Sequence, residues 1–403
     1  GKDTRKSGDM LEAALTAGLC SMGAKVIPLG VVPTPAVAYL TRYYKADAGV
    51  VISASHNPCE YNGIKFFNSD GYKLSDGIEN EIESYILGEK AIEELPTHGK
   101  VGYVSANHNA VEDYVAFAVS TIDCRLDGMK IAVDCANGAS YETAFKALNK
   151  LGANVEAIHN TPDGVNINHM CGSTHMESLQ AYVTSIGADI GIAFDGDADR
   201  MLAVDENGKL IDGDQIMAAC AKFMRDNGTL KQNTLVATVM SNLGLFMAGG
   251  KKGSNIPRTK VGDRYVLEEM LAKGYNIGGE QSGHIIFLDH NTTGDGLVSA
   301  LQFLSVLKKT GMKASEAASI VTVMPQVLRN AVVKLENKNS YMENEEIAAA
   351  CKALEDEFAG EGRVLIRPSG TEPLVRVMIE GKDEEYITKK AEELAELIEK
   401  ILG

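Results

Sequence analysis

The chain has 403 residues, of which 45% are hydrophobic and 23% are charged, and its formal net charge is −16. A chain of this length is expected to divide into about two to four domains that each bury a core. The excess of acidic residues argues against a nucleic-acid partner. A membrane partner is not expected either, because no continuous apolar stretch approaches the roughly 18 residues of a spanning helix.

The seven cysteines are scattered along the chain and lack the paired Cys-x-x-Cys spacing of a zinc site. Reduced, packed thiols are the expected state, and they favour a cytoplasmic protein. The sequence begins at Gly1, within residues 1–8, which we expect to form a loop.

Strands and helices alternate from the first residues onward, and the alternation restarts twice. The predictions for the first region are helix 9–22, strand 24–29, helix 33–44, a strand leading into Ser55, and helices 75–87 and 110–120. Those for the second region are strand 129–135, helix 141–151, strand 154–159, helix 173–186 and strand 188–194. Those for the third region are helix 214–227, strand 235–240, helix 262–273, strands 276–278 and 284–288, and helices from residue 295. The predictions for the tail, from about residue 320 to the end of the chain, are strands, helix 344–358, two strands around Arg367 and helix 383–402.

Alternating strands and helices are typical of parallel sheets covered by helices. The sequence therefore predicts the α/β class, with three similar doubly wound α/β domains in series and a smaller C-terminal α+β domain. We expect the four domains to cover residues 1–108, 109–207, 208–320 and 321–403.

A short apolar run, residues 48–52, ends abruptly at the sequence Ser-Ala-Ser-His-Asn-Pro. A buried strand would deliver Ser55 and His56 to a loop at its carboxyl end, where open α/β sheets bind ligands. An Asn-Gly step then turns the chain into a second apolar run, residues 64–67, which carries Lys65. The pattern favours a displayed serine nucleophile, although a simple polar turn would contain the same residues.

Three carboxylates, those of Asp195, Asp197 and Asp199, alternate in the run Phe-Asp-Gly-Asp-Ala-Asp-Arg. In an extended segment, alternate side chains share one face, so the carboxylates would converge and repel one another. A divalent cation relieves that repulsion, and magnesium fits because it takes few protein carboxylates. An EF-hand calcium loop with Glu206 at its twelfth position is the rival, but Arg200 stands where that loop needs glycine. A solvated turn is the third interpretation.

The run Gly-Gly-Glu-Gln-Ser-Gly-His lies between two predicted strands and presents Glu280, Ser282 and His284 in alternation. One carboxylate and two neutral hydrogen-bonding groups suit neighbouring sugar hydroxyls or an amine. A glycine-rich hairpin without a binding role is the alternative.

The run Arg-Pro-Ser-Gly-Thr-Glu-Pro begins at Arg367. Its small residues would let backbone N–H groups surround an anion, while the Arg367 guanidinium and the hydroxyls of Ser369 and Thr371 add donors. The run therefore predicts a phosphate-binding loop. The chain contains neither a Gly-x-x-x-x-Gly-Lys-Ser/Thr nucleotide loop nor a Gly-x-Ser-x-Gly hydrolase elbow.

These four loops, in this order, resemble those of the α-D-phosphohexomutases, whose active serine carries a phosphoryl group. The resemblance covers the chain apart from its beginning, where the family has a further strand and a Gly-Thr-Asp-Gly-x-Arg-Gly loop. We therefore expect that roughly forty residues of the first domain precede this sequence. Gln281, together with residues 241–244 and 259–265, favours the branch that acts on an amino sugar, because the mannose and glucose branch tends to have methionine at position 281.

The resemblance implies a role for each loop. The phosphoryl group of Ser55 would bind one Mg²⁺ per chain together with Asp195, Asp197 and Asp199. The residues implied at the reacting centre are Ser55, His56, Lys65, Arg200 and Arg5. Those implied to bind the substrate are Gly262, Asp263, Glu280, Ser282, His284, Arg367, Ser369, Gly370 and Thr371. Lys65 is the first candidate for the general base, if cationic surroundings depress its pKa, and His56 is the second.

The implied reaction transfers the phosphoryl group of Ser55 to a hexosamine monophosphate, forming a hexosamine 1,6-bisphosphate that turns around and returns the other phosphate. The four domains, carrying the serine, metal, sugar and phosphate sites in chain order, would be arranged around a central cleft. A small-molecule sugar phosphate is the expected partner, the protein would be a monomer or homodimer, and its product would feed UDP-N-acetylglucosamine and cell-wall precursor synthesis. Three alternatives stay open: a glucose or mannose phosphate mutase of this family, a magnesium-dependent sugar-phosphate phosphatase, and a non-catalytic sugar-phosphate-binding protein.

Overall fold

The computed structural model describes residues 1–92, 94–106, 109–341, 343–369 and 372–403, with the backbone alone at 251 and 252. Within these residues the chain forms two compact units. Unit 1 comprises residues 1–240 and 254–320, and unit 2 comprises residues 241–253 and 321–403. No helix in the described part of the chain combines the length and the apolar character needed to cross a membrane.

The first region of unit 1 has four short strands and four helices among its described residues. They are α1 (Ser7–Ser21), β1 (Lys25–Val26), α2 (Thr34–Tyr43), β2 (Ala48–Ile52), β3 (Ile64–Asn68), α3 (Asp76–Ile86), β4 (Tyr103–Val104) and α4 (Ala110–Ser120). Strand β1 pairs with β4 in parallel, and β2 pairs with β3 in antiparallel fashion.

The beginning of the chain differs from the sequence prediction, because residues 1–3 are extended and paired on both sides. Lys2 forms parallel bridges with Val31 and with Ile52. The backbone N–H of Lys2 donates to the carbonyl of Gly30 at 3.1 Å, and that of Ile52 donates to the carbonyl of Gly1 at 2.9 Å. The predicted loop over residues 1–8 is therefore wrong at both ends: residues 1–3 pair with neighbouring strands, residues 4–6 are irregular, and α1 begins at Ser7.

The second and third regions continue the alternation. The second contains β5 (Lys130–Asp134), α5 (Ser140–Lys150), β6 (Asn154–Ile158), α6 (Glu177–Ile186), β7 (Ile190–Phe194), β8 (Met201–Asp205) and β9 (Leu210–Ile211). The third contains α7 (Gly213–Asp226), β10 (Val236–Thr238), α8 (Leu243–Lys252), β11 (Arg258–Thr259), α9 (Asp263–Lys273), β12 (Ile277–Gly279), β13 (Ile285–Phe287), α10 (Gly296–Thr310) and α11 (Ala314–Ala318). Of these elements, α8 belongs to unit 2.

The three regions repeat one strand order. The second has the order β6-β5-β7-β8, in which the first three strands are parallel and the fourth is antiparallel. The third has the same pattern in the order β11-β10-β12-β13. The first follows it as well, with residues 30–32 and 1–3 beside β2 and β3. This confirms the domain-scale repeat that the sequence suggested.

The repeat places three loops of unit 1 at equivalent positions in its three regions. In each region one loop joins the third strand in chain order to the fourth, antiparallel strand. The serine loop joins β2 to β3, the acidic loop joins β7 to β8, and the Glu280 loop joins β12 to β13. The three loops that the sequence singled out in unit 1 therefore occupy equivalent positions at the edges of three similar sheets.

The central strands of these sheets are deeply buried, as strands covered by helices should be. All five residues of β7 are buried, and so are all five of β8. Ala132, Leu179, Val183 and Val204 belong to the apolar cluster that packs α6 against this sheet. The rigid sheet thereby fixes the ends of the loop that joins β7 and β8.

Unit 2 contains the smaller α+β arrangement that was predicted from the sequence of the tail. Its elements besides α8 are β14 (Gln326–Val332), α12 (Glu345–Phe358), β15 (Arg363–Pro368), β16 (Leu374–Glu380) and α13 (Glu384–Leu402). The sheet order is β14-β16-β15, and both pairs are antiparallel. Helix α8 was not predicted, because three glycines interrupt its apolar pattern; Asn242 begins it by accepting the N–H of Gly244 at 2.9 Å.

Candidate active site

The serine loop holds Ser55 in a left-handed backbone conformation, with φ of +51°. Such a φ is uncommon for a residue other than glycine, so the loop must be held by its surroundings. The Ser55 N–H donates to the Ser53 hydroxyl at 3.0 Å, and that hydroxyl donates to the Asp3 carboxylate at 2.5 Å. The Ser55 hydroxyl itself donates to Oδ2 of Asp195 at 2.7 Å. The displayed serine and the acidic loop therefore meet directly.

The acidic loop brings its three carboxylates together, but by a turn rather than the extended segment that the sequence predicted. Ala198 has φ of +55°, and its N–H donates to the Asp195 carbonyl at 3.0 Å. Neighbouring backbone holds the turn, since the N–H of Ala139 donates to the Gly196 carbonyl at 2.8 Å and that of Gly296 to the Ala198 carbonyl at 3.0 Å. One ligand atom from each of the three aspartates lies within 4.8 Å of the others.

The buried charge of this turn fits a divalent cation. Asp195 and Asp197 are 0% exposed and Asp199 is 8% exposed. Burial, followed by repulsion from Asp199 and Asp197, raises the pKa of Asp195 well above its usual range. Within the described residues, one oxygen of Asp197 and one of Asp199 are buried without a hydrogen-bond partner. Because hard cations prefer carboxylate oxygens, the donor set with Ser55 beside it suits a metal ion.

The structure excludes the calcium-loop interpretation. Glu206, the residue at the twelfth position of that loop, stands at the far end of β8 and binds the hydroxyl and the N–H of Ser315, at 2.5 and 3.2 Å. It therefore cannot close a ligand shell around the three aspartates. The flanking elements β7 and β8 are strands, whereas an EF-hand needs helices.

Lys65 lies beside the acidic turn, but its surroundings are not those that we expected. Its ammonium donates to Oδ2 of Asp197 at 2.9 Å. Burial by itself lowers the pKa of Lys65, yet the carboxylates of Asp197 and Asp199 outweigh burial and raise it. The expectation of a pKa depressed by cationic neighbours is therefore wrong for the protein without a cation.

The side chains of His56 and Arg200, both expected at the reacting centre, contact each other. Nη1 of Arg200 lies 3.2 Å from Nδ1 of His56. Burial and the charge of Arg200 lower the pKa of His56, so its imidazole is neutral at pH 7 and its Nδ1 accepts from the guanidinium. The nitrogen that could accept a substrate proton is thus already engaged.

Arg5 was expected to line the reacting centre, and the structure places its guanidinium against the backbone of the serine loop. The residue is 2% exposed and its guanidinium pairs with Asp3. It also donates to the backbone carbonyls of Ser55 and Asn57, at 3.1 and 2.5 Å. Arg5 therefore supports the backbone of the serine loop and does not contact the Ser55 hydroxyl.

The Glu280 loop forms the hairpin between β12 and β13, next to the acidic loop. The N–H of Met201 donates to the Gly283 carbonyl at 3.0 Å, which ties the two loops together. Glu280 accepts the N–H of Gly262 at 3.0 Å, and the side chain of Ser282 is exposed. Gln281 instead donates to Asp212 at 3.0 Å. Glu280 and Ser282 could therefore face a ligand, whereas Gln281 fixes the hairpin.

His284 is enclosed rather than open to a sugar. It is 3% exposed, and its ring accepts the N–H of Gly294 at Nε2, at 3.2 Å. Its Nδ1 lies 3.6 Å from Asp199, and its Nε2 lies 3.7 Å from Asp263. Burial lowers the pKa of His284, but the two carboxylates outweigh burial and raise it. The ring of His284 therefore lies between Asp199 and Asp263, and its contact with the sugar stays a prediction.

Two side chains at the site were not predicted from the sequence. The hydroxyl of Thr34 donates to Asp197 at 2.6 Å, and Lys73 forms an ion pair with Asp263. Thr34 stands in a Pro-Thr-Pro sequence at the start of α2, within the helix predicted over residues 33–44. Lys73 carries no local signal, because its partner is 190 residues away.

The phosphate-binding loop lies in unit 2, and two of its four proposed ligands, Gly370 and Thr371, are outside the described residues. Arg367 stands opposite Arg376 in the β15–β16 pair, and burial followed by repulsion from Arg376 lowers its pKa. The ammonium of Lys338 donates to the Ser369 carbonyl at 2.8 Å. The loop thus has more cations than the sequence indicated.

A second group of possible metal ligands, Asp134, His159 and Cys171, lies in the second region. The Asp134 carboxylate already accepts the N–H of Ala136 at 2.8 Å and that of Gly172 at 3.0 Å, and it contacts His159 Nδ1 at 2.8 Å. Burial raises the pKa of the Cys171 thiol to about 12, which disfavours a thiolate ligand. We interpret the group as a structural hydrogen-bond network.

Comparison with known proteins gives the family of the chain. Models of the phosphoglucomutase/phosphomannomutase alpha/beta/alpha domains I, II and III match residues 1–93, 111–208 and 212–324, and the model of the C-terminal domain matches residues 331–397. A serine hydroxyl held against a buried acidic turn that suits a cation is compatible with phosphoryl transfer through that serine. The fold and the site together define a phosphohexomutase, an enzyme of the isomerase class.

The chain belongs to the phosphoglucomutase/phosphomannomutase family. It is 63% identical to a phosphoglucosamine mutase of Ruminiclostridium cellulolyticum over 99% of this chain and 89% of that protein. It is 62% identical to a phosphoglucosamine mutase of Acetivibrio thermocellus over 100% of this chain and 90% of that protein. The fold is similar to that of a phosphoglucomutase/phosphomannomutase family protein from Burkholderia thailandensis, with a TM-score of 0.81 and 23% identity over 98% of this chain and 87% of that one.

The close approach of the two loops makes Gly196 a sensitive position. A Cβ atom there would lie 2.6 Å from the Ser55 carbonyl and 2.6 Å from the amide nitrogen of Asn168. Gly196→Ala should push the serine and acidic loops apart and lower kcat of the phosphohexomutase reaction by about 100-fold. Gly18→Ala, in α1 with open space around its Cβ, is the control and should keep wild-type kcat. Wild-type kcat in a folded Gly196→Ala variant would contradict the geometry.

Proposed function

We propose that the protein interconverts glucosamine 6-phosphate and glucosamine 1-phosphate, the reaction of a phosphoglucosamine mutase. Ser55 would carry the phosphoryl group, and glucosamine 1,6-bisphosphate would be the intermediate and activator. The observation that carries the proposal is the 2.7 Å contact between the Ser55 hydroxyl and Asp195, within a turn of three converging carboxylates. The name of the relatives that are 62–63% identical supports the choice of the sugar.

Asp195, Asp197 and Asp199, with the oxygens on Ser55, would hold one Mg²⁺. The ion would act as a Lewis acid on the phosphoryl oxygens and neutralise the three carboxylates. Two cationic side chains of the chain itself are placed to stabilise the same charge. The Lys65 ammonium lies 2.9 Å from Asp197, and Nε of the Arg200 guanidinium lies 4.0 Å from Oδ1 of Asp199. Phosphoryl transfer depends chiefly on such alignment and charge.

Lys65 remains our first candidate for the general base. Its proton is held by the aspartates, so neutralising their charge removes the interaction that raises its pKa. His56, the second candidate, has its Nδ1 occupied by Arg200 at 3.2 Å. Lys65→Met should therefore lower kcat far more than His56→Gln does. Equal losses would argue against Lys65.

The substrate roles remain proposals drawn from the family resemblance. Glu280 and Ser282 would bind the sugar, with the Glu280 carboxylate suited to the amine, and Gly262 and Asp263 would stand beside them. Arg367, Ser369, Gly370 and Thr371 would bind the phosphate that is not reacting. We also propose the division into domains at 1–108, 109–207, 208–320 and 321–403. A cytoplasmic location is proposed because all seven cysteines are free, and a monomer or homodimer remains the prediction for the oligomeric state.

The phosphatase alternative would use an aspartate nucleophile and leave the serine loop without a purpose. The three aspartates are buried, whereas Ser55 is only partly buried and its hydroxyl is directed at them. This arrangement supports transfer through the serine. The alternative of a glucose or mannose phosphate mutase of the same family is distinguished by the sugar that the protein prefers.

The test is an assay of glucosamine, N-acetylglucosamine, glucose and mannose 1-phosphates with Mg²⁺ and the matching bisphosphates. Glucosamine phosphate should give the highest kcat/KM, with dependence on the bisphosphate. Release of inorganic phosphate without that dependence would contradict the mutase reaction. A preference for glucose or mannose phosphate would contradict the proposed sugar but not the reaction.

A further inference from the structure

Two backbone carbonyls of the serine loop, those of Ser55 and Asn57, share the same pair of donors. Nη2 of Arg5 donates to both, and so does Nδ2 of Asn168, at 2.8 and 3.0 Å. Arg5 precedes α1 in the first region, whereas Asn168 follows β6 in the second. The serine loop is therefore held by one donor from its own region and one from the region that supplies the acidic loop.

The Asn168 side chain is fixed tightly enough to act as such a support. The residue is 7% exposed and has φ of +58°, and its N–H donates to the Ala136 carbonyl at 2.9 Å. Its Oδ1 has no hydrogen-bond partner within the described residues. The alternative amide orientation would turn that oxygen toward two carbonyl oxygens, so the acceptors of the serine loop dictate the observed one.

The segment that carries Asn168 is anchored at both ends by one buried carboxylate. Asp134 accepts the N–H of Ala136 and the N–H of Gly172, and it contacts Nδ1 of His159. The turn that follows Ala136 also reaches the acidic loop, since a Cβ on Gly138 would lie 2.4 Å from the Gly196 carbonyl. One network thus fixes both Asn168 and the backbone of the acidic loop.

The contact between Asn168 and the serine loop has a counterpart in the first region of the repeat. Thr34 follows residues 30–32 in the first region as Asn168 follows β6 in the second, and its hydroxyl donates to Asp197 at 2.6 Å. The first region therefore holds the acidic loop of the second, and the second holds the serine loop of the first. Such reciprocal contacts restrict the separation of Ser55 and Asp195 from both sides.

We infer that Asn168 is a positioning residue for the mutase reaction. Through the carbonyls of Ser55 and Asn57, it holds the Ser55 hydroxyl at the distance from the acidic turn that phosphoryl transfer needs. This inference rests on the proposed function and assigns Asn168 no contact with the substrate. Because reacting groups displaced by about 1 Å can lose 10²-fold in rate, loss of this support should act on kcat.

The test compares Asn168→Ala, Asn168→Asp and the control His169→Ala, whose side chain is exposed on the same segment. The measurements are kcat, KM and the single-turnover rate at which glucosamine 1,6-bisphosphate phosphorylates Ser55, with thermal melting to confirm folding. Asn168→Ala should lower kcat and the phosphorylation rate by about 10- to 100-fold with KM nearly unchanged. Asn168→Asp should be slower still, because its carboxylate repels both carbonyls, whereas the control should match wild type.

A folded Asn168→Ala or Asn168→Asp variant with wild-type kcat would overturn the inference, and so would a loss confined to KM. If neither variant folds, Asn168 serves folding and the positioning role is rejected. A wild-type protein that takes up no phosphoryl group from the bisphosphate would refute the proposed function instead, so the two failures are distinguishable.

Discussion

Replacing Ser55 with alanine is expected to abolish phosphoryl uptake and to lower turnover by at least about 10⁴-fold, as loss of a catalytic nucleophile does elsewhere. The hydroxyl that donates to Asp195 at 2.7 Å is the group that would carry the phosphoryl. The measurement is mutase turnover of glucosamine 6-phosphate together with phosphopeptide analysis after incubation with the bisphosphate.

The control for this variant is Ser69→Ala, an exposed serine just after β3. It should keep wild-type activity and phosphorylation. The nearby Ser53 hydroxyl is buried and bound to Asp3, so it should not substitute for Ser55. Activity in Ser55→Ala, or a phosphoryl group on any other residue of that variant, would contradict the proposed role.

The Asp195→Asn variant is expected to fold but to lose binding of the cation. Burial and the neighbouring carboxylates raise the pKa of Asp195, so the protein without a cation maintains the acidic turn at a cost in stability. The variant should melt at a higher temperature than wild type in the presence of a chelator. It should also lose the rise in Tm that Mg²⁺ gives wild type, since a bound ion stabilises only the state that holds it.

Loss of the carboxylate should weaken Mg²⁺ binding by more than the roughly 10- to 100-fold that loss of an outer-shell partner costs. Asp47→Asn makes the same charge change at an exposed position and should leave the Mg²⁺ effect intact. The comparison uses thermal melting of all three proteins across a Mg²⁺ titration. An equal Mg²⁺-induced rise in Tm for Asp195→Asn and wild type would mean that the turn does not bind the ion.

Local patterns predicted much of the fold. The apolar run at residues 48–52 became β2, the run at 188–194 contains β7, and the tail has its predicted helix over Glu345–Phe358. These predictions succeeded because side-chain periodicity and turn residues act over a few positions. Helix α8 was not predicted in this way, because its three glycines interrupt the helical pattern of apolar residues.

The site was predicted only in part, and the missing part is long-range. The serine and acidic loops could be found from their own residues, but the contacts of Thr34 with Asp197 and of Asn168 with Ser55 join residues 163 and 113 positions apart. His284 has the right residue type for a sugar contact, yet its burial between Asp199 and Asp263 depends on how the loops pack. No short pattern contains that information.

The most direct test is to locate the phosphoryl group during the reaction. Wild-type protein is incubated with glucosamine 1,6-bisphosphate and Mg²⁺, mapped by peptide mass spectrometry, and then mixed with glucosamine 6-phosphate. The peptide that contains Ser55 should gain one phosphoryl group and pass it to the sugar, with bisphosphate formed and no inorganic phosphate released. A phosphoryl group on an aspartate of the 195–199 turn, or its release to water, would contradict transfer through Ser55.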